Sequence, residues 1–144
     1  MAVWEKNSII FGLGSLIGGL LYFSIVAWQS MVTGALVAPN FGIWISYIVL
    51  QLCVSFFGAW LMTKHAKAAG EALPDKGEDE RDQLIRMRAE GMQGHIMSGL
   101  VFLAMALWFI HGNSAIMFHS LVGALVLSEI ARAAWQVFNY NRAY

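Results

Sequence analysis

Charge is missing from most of this chain. From Ser8 to Thr63 there is no Asp, Glu, Lys or Arg, and from Gly91 to Ser128 there is again none. A soluble domain of 144 residues could not hide two such stretches, because small domains bury the smallest fraction of their surface. Cysteine is nearly absent as well. The single Cys53 lies inside an apolar run, which excludes a disulfide framework and a thiolate zinc site. Net charge is zero, so there is no basic footprint for nucleic acid. Proline occurs twice, at Pro39 and Pro74, and each marks a break.

What is present fits a bilayer. Hydrophobic residues make up 58% and charged residues 12%, against roughly 45–50% and about 25% in soluble proteins. The segment Lys64 to Glu90 holds six of the nine basic and seven of the nine acidic residues. Two long apolar blocks around one charged segment predict a polytopic membrane protein. A hydrocarbon core of about 30 Å needs about 20 apolar residues in a helix. Pro39-Asn40 divides the first block into spans near 9–31 and 41–62. His111-Gly112-Asn113 divides the second into spans near 92–110 and 114–138. Glu5-Lys6 before an apolar run imitates a signal peptide, but the run from Ile9 to Met31 exceeds the usual 7–15-residue core and reads as a retained first span. The expected fold is all-α: an integral membrane four-helix bundle in one transmembrane domain over 1–144. Two hairpins are joined by a charged cytoplasmic loop at 63–91.

Orientation follows from Lys and Arg. The turns around Pro39 and Gly112 have none. Lys6, the six bases of the middle segment, Arg132 and Arg142 all fall on the other side, which should be the cytoplasm. Trp4, Trp28, Trp44, Trp60, Trp108 and Trp135 sit near span ends, as an interfacial belt would. The expected location is the bacterial inner membrane, multi-pass, with both termini cytoplasmic. In the charged loop, acids at Glu78-Asp79-Glu80 precede bases at Arg81, Arg86 and Arg88. Asp82 and Arg86 make a favourable i,i+4 pair, and Leu84, Ile85 and Met87 add an apolar side. This predicts a short amphipathic, surface-lying helix running into the third span.

Asp79-Glu80-Arg81-Asp82, then Arg88-Ala89 before a span, resembles the "DERD…RA" lead-in to the third helix of a family of small bacterial membrane proteins of unknown function. Glu129-Ile130-Ala131-Arg132, then Gln136 and Tyr140-Asn141-Arg142, is similar to that family's closing E-x-x-R…Q…Y-R-R pattern, with Asn141 where a base is expected. The resemblance implies the four-span fold and no assigned activity.

No catalytic motif is present. Glu129 lies sixteen residues into the last span, about 24 Å along it. With Arg132 at i,i+3 it forms a polar cytoplasmic-side cluster that His95, Arg86 or Arg88 could join. The cluster reads as an ion pair fixing the fourth helix, as a proton or ion relay, or as a docking site for a partner helix. His65 and His95 toward one face, with His111 and His119 toward the other, raise a haem alternative. No cofactor or metal is otherwise expected. Gly14-x-x-x-Gly18 on the first span, and Ser120, Ala124 and Ser128 on the fourth, are small-residue packing stripes that fit a helix of this chain or of another protein.

The function expected is therefore a non-enzymatic accessory or structural subunit, packing as a homo-oligomer or within a larger membrane complex, its partners being the lipid bilayer and other helices. A small oligomeric transporter or channel is the first alternative, although the first two spans lack an acid. A haem-binding redox protein is the second.

Overall fold

The computed structural model describes residues 3–68 and 80–142. Pro74-Asp75 and Glu78-Asp79 of the charged loop lie outside the described residues. Four helices account for nearly all of the rest: α1 (Val3–Thr33), α2 (Phe41–Ala68), α3 (Glu80–His111) and α4 (Ser114–Arg142). Each is long and apolar enough to cross a membrane.

The two turns are built by their punctuating residues. At the end of α1, Gly34 takes a left-handed φ of 70°, which costs glycine nothing. The Asn40 side chain then accepts the Gly42 N–H at 2.8 Å and caps α2. At the second break, Gly112 adopts φ 63° and returns its N–H to the Trp108 carbonyl at 2.7 Å. Asn113 accepts the Ala115 N–H at 2.8 Å and opens α4.

The stretch expected as a surface-lying helix running into the third span is the first part of α3, which runs unbroken from Glu80 to His111. No proline interrupts it, and Glu80 and Asp82 in its first turn complement the helix dipole. Of its apolar side, only Ile85 is buried, with Ala89 one turn on. Leu84 and Met87 are exposed. Within this part Arg86 pairs with Glu90 at 3.4 Å.

The four-helix arrangement is open. α1 packs on α2 and on α4, and α4 packs on α3, giving the order α2–α1–α4–α3. Accordingly α1 and α4 are the inner pair, with 33% of their apolar windows buried against 6% for α2 and α3. Neighbours in the row run antiparallel, so one end carries the starts of α1 and α3 and the ends of α2 and α4. The other carries the two short turns. These are called the terminal end and the turn end.

Glycine sets the spacing of the inner helices. A Cβ on Gly12 would lie 2.6 Å from Ala133 Cβ, and one on Gly19 would lie 2.6 Å from Val126 Cγ1, so this face of α1 meets α4. Gly14 lies against Val54, and a Cβ on Gly18 would be 3.4 Å from the Tyr47 ring, so that face meets α2. Close backbone approach of this kind is how helices associate where burial from water supplies no drive. Ala124 and Ser128 are buried, and Ser128 Oγ lies 3.7 Å from Met97 Sδ of α3. Both small-residue stripes therefore meet helices of this chain.

Candidate functional site

Toward the terminal end, a run of polar side chains ties α1, α3 and α4 together. Glu129 Oε2 accepts from Arg132 Nη2 at 2.9 Å and from Arg132 Nε at 3.1 Å. These two bonds from one guanidinium come from an i,i+3 pair on a single helix face. Glu129 Oε1 accepts from Gln93 Nε2 of α3 at 2.7 Å. Arg132 Nη1 approaches Gln136 Oε1 at 3.4 Å, and the same oxygen accepts the Ser8 hydroxyl of α1 at 2.7 Å. Gln136 and Ser8 are buried, whereas the Glu129 and Arg132 side chains keep 35% and 19% of their surface. On the other flank of α1, Gln51 of α2 donates to the buried Ser15 hydroxyl at 2.7 Å.

The Glu129–Arg132 pair forms, but its other expected members do not gather on it. The α3 partner is Gln93, not His95. At about 100° per residue, two positions turn His95 away from α4 and leave it exposed. Arg88 is exposed, and Arg86 is engaged with Glu90 about two turns earlier on α3. Gln51, Gln93 and Gln136 carry amide groups into apolar runs, where an amide needs a partner. That was the available signal for this network.

A second polar knot lies toward the turn end. The Tyr22 hydroxyl is 2.8 Å from His119 Nδ1, and His119 Nε2 is 3.0 Å from the Val37 carbonyl. A carbonyl only accepts, so Nε2 donates to Val37. His119 thus links α1, α4 and the loop between α1 and α2. Ser30 Oγ adds a 3.2 Å bond from the Val37 N–H. The apolar core of Tyr22, Val26 and Val122 surrounds the knot. Tyr22→Phe should lower stability by about 1–2 kcal/mol, the cost of leaving the buried His119 Nδ1 without its hydrogen-bond partner. Detergent unfolding followed by circular dichroism measures this.

The remaining histidines stand apart from this knot: His65 is exposed on α2, His95 on α3 and His111 at the end of α3. Iron ligation by His119 would require one of its two bonds to be given up. Among the described residues no three His, Cys, Asp or Glu side chains form a group suited to a metal ion. No protein family, curated protein or solved structure matches the chain.

Proposed function

We propose that this chain is a multi-pass protein of the bacterial inner membrane, with both termini cytoplasmic. Its role is that of a non-enzymatic packing subunit joining its own copies or a larger membrane complex through the outer face of α3. The orientation rests on Lys64, Lys67, Arg81, Arg86, Arg88, Arg132 and Arg142, which belong to the terminal end, while the 34–40 and 112–113 turns hold no base.

The observation that carries the packing role is a contrast between glycines. On α1, Gly12, Gly14, Gly18 and Gly19 each lie against a side chain of a neighbouring helix. On α3, a Cβ at Gly91, Gly94 or Gly99 would meet nothing within 4 Å among the described residues. Glycine inside a helix costs up to about 1 kcal/mol relative to alanine, and in α1 close packing offsets that cost. The helical period puts Gly91, Gly94, His95 and Ser98 on one face, with Gly99 at its edge. That face is exposed and lies opposite Ala89, Gln93 and Ala104, which point toward α4. It is a close-approach surface without its second helix.

Gly94→Leu is the test. The side chain enters open space, so the single chain should keep its helix content and unfold no earlier than the parent. Extracted from membranes in polymer nanodiscs without detergent, the parent should weigh more than one chain and the variant one chain. A parent that is already a single chain would sink the packing role.

A further inference from the structure

The uncovered line along α3 is longer than its glycines. Alternating steps of four and three back from Gly91 reach Met87 and Leu84, and the same steps forward from Gly94 reach Ser98, Val101 and Met105. With Gly91 and Gly94 these are the a and d positions of an unbroken heptad repeat. Leu84, Met87 and Met105 keep 52%, 65% and 44% of their surface. Gly91, Gly94 and Ser98 are exposed as well. The buried Ala89 and the Gln93 that bonds Glu129 lie on the other side of the helix, against α4.

A run of small residues alone would fit many helices, and Leu84 and Met87 narrow the choice. They stand among Arg81, Asp82, Arg86, Arg88 and Glu90, on the roughly three turns of α3 that precede its charge-free part. Hydrocarbon does not cover that lead-in on the membrane reading, so two large apolar side chains are left bare in water. The occupant of this line must bury apolar side chains outside the bilayer and approach closely inside it. α3 itself is such a helix. Copies of one chain insert the same way round, so two α3 helices run parallel and in register, and each a or d residue meets its own counterpart.

The flanking polar groups fit the same partner. In a parallel pair each g residue faces the e residue five positions on in the other helix. On this line Glu90 is g and His95 is e, and the heptad before pairs Gln83 with Arg88. His95 is exposed and has no hydrogen-bond partner among the described residues. An imidazole without a partner at the edge of hydrocarbon is costly. Glu90 takes Arg86 through Oε1 alone, at 3.4 Å, and keeps Oε2 for a second donor. We infer that α3 forms a parallel two-stranded coiled coil with α3 of a second copy. Leu84, Met87, Gly91, Gly94, Ser98 and Met105 form the seam, and Glu90 of each copy accepts from the partner's His95. The 3.5-residue spacing makes the pair left-handed. The inference rests on the packing role of α3 and names its partner.

Disulfide trapping in isolated membranes tests it, in a Cys53→Ala chain so that each new cysteine stands alone. Under copper phenanthroline, Met87→Cys and Ser98→Cys should each give a covalent dimer. Leu103→Cys, exposed on the far flank of α3, should not. The Glu90–His95 contact is tested on the Met87→Cys chain with Glu90→Lys and His95→Glu. Neither variant can form the contact in its own dimer, where a lysine faces an imidazole or two carboxylates face each other. Co-expressed with different tags, the two recover an opposite-charge pair on each side of the mixed dimer. Mixed dimers should then exceed self-linked ones about tenfold, the ratio for two modest ion pairs. Equal trapping at Leu103→Cys, no dimer at Met87→Cys or Ser98→Cys, or mixed dimers at the random proportion would each overturn the inference. A parent that still weighs more than one chain in nanodiscs would then keep the packing role with a foreign helix, and a single-chain parent would remove both.

Discussion

Gly12→Ala is expected to destabilise the protein by about 1–3 kcal/mol, the range for overpacking a close contact. At an open helical position the same change would stabilise by up to about 1 kcal/mol. The sign reverses because the new methyl would sit 2.6 Å from the Ala133 Cβ. That atom is fixed to its backbone and has no rotamer to escape into, so α1 and α4 must separate. Separation loosens two bonds that join these helices, Ser8 to Gln136 and Tyr22 to His119. The double variant Gly12→Ala/Ala133→Gly moves the methyl from one helix to the other and should recover most of the loss. Denaturant titration in detergent, read by circular dichroism, gives both values. A Gly12→Ala protein as stable as the parent would mean that α1 and α4 do not approach at this point.

The second large effect concerns Arg132. Removing one member of a fully enclosed ion pair costs about 3–5 kcal/mol, because the remaining charge has lost its partner. Here Glu129 keeps its Gln93 donor and part of its surface. Arg132→Leu should therefore cost less, about 2–3 kcal/mol. The arginine also reaches Gln136, so its removal weakens the link toward Ser8. Glu129→Leu/Arg132→Leu deletes both charges and should recover at least half of the single-variant loss, since a charge pair contributes little against well-packed apolar groups. If the double variant is less stable than Arg132→Leu, the pair contributes net stability instead of mainly compensating its own desolvation.

Helices and turns were legible because they are local. Charge-free runs of span length and the Pro39-Asn40 and Gly112-Asn113 breaks place all four helices. The lead-in at 80–91 was read from its charges as a helix running into the third span, and nothing between Glu80 and Gly91 ends α3. Which helix meets which was not legible. A helix apolar on every side offers no stripe to point inward, so the α2–α1–α4–α3 order had no sequence signature. Gly14 and Gly18 could be recognised as a close-approach face, but their partner on α2 could not be named. The Glu129–Arg132 pair was visible as an i,i+3 motif on one helix. Its partner Gln93 depends on how α3 is rotated against α4, which spacing within α3 does not reveal. The Tyr22–His119 bond joins residues 97 positions apart and was invisible for the same reason.

The packing role of α3 is tested most directly in intact membranes by placing the photocrosslinking residue p-benzoylphenylalanine at Ser98. The same residue at Leu52, on the exposed side of α2, serves as control. The account predicts a protein adduct on illumination at position 98, seen as a discrete band heavier than the chain, and none at position 52. No protein adduct at position 98, or adducts of equal yield at both positions, would contradict it.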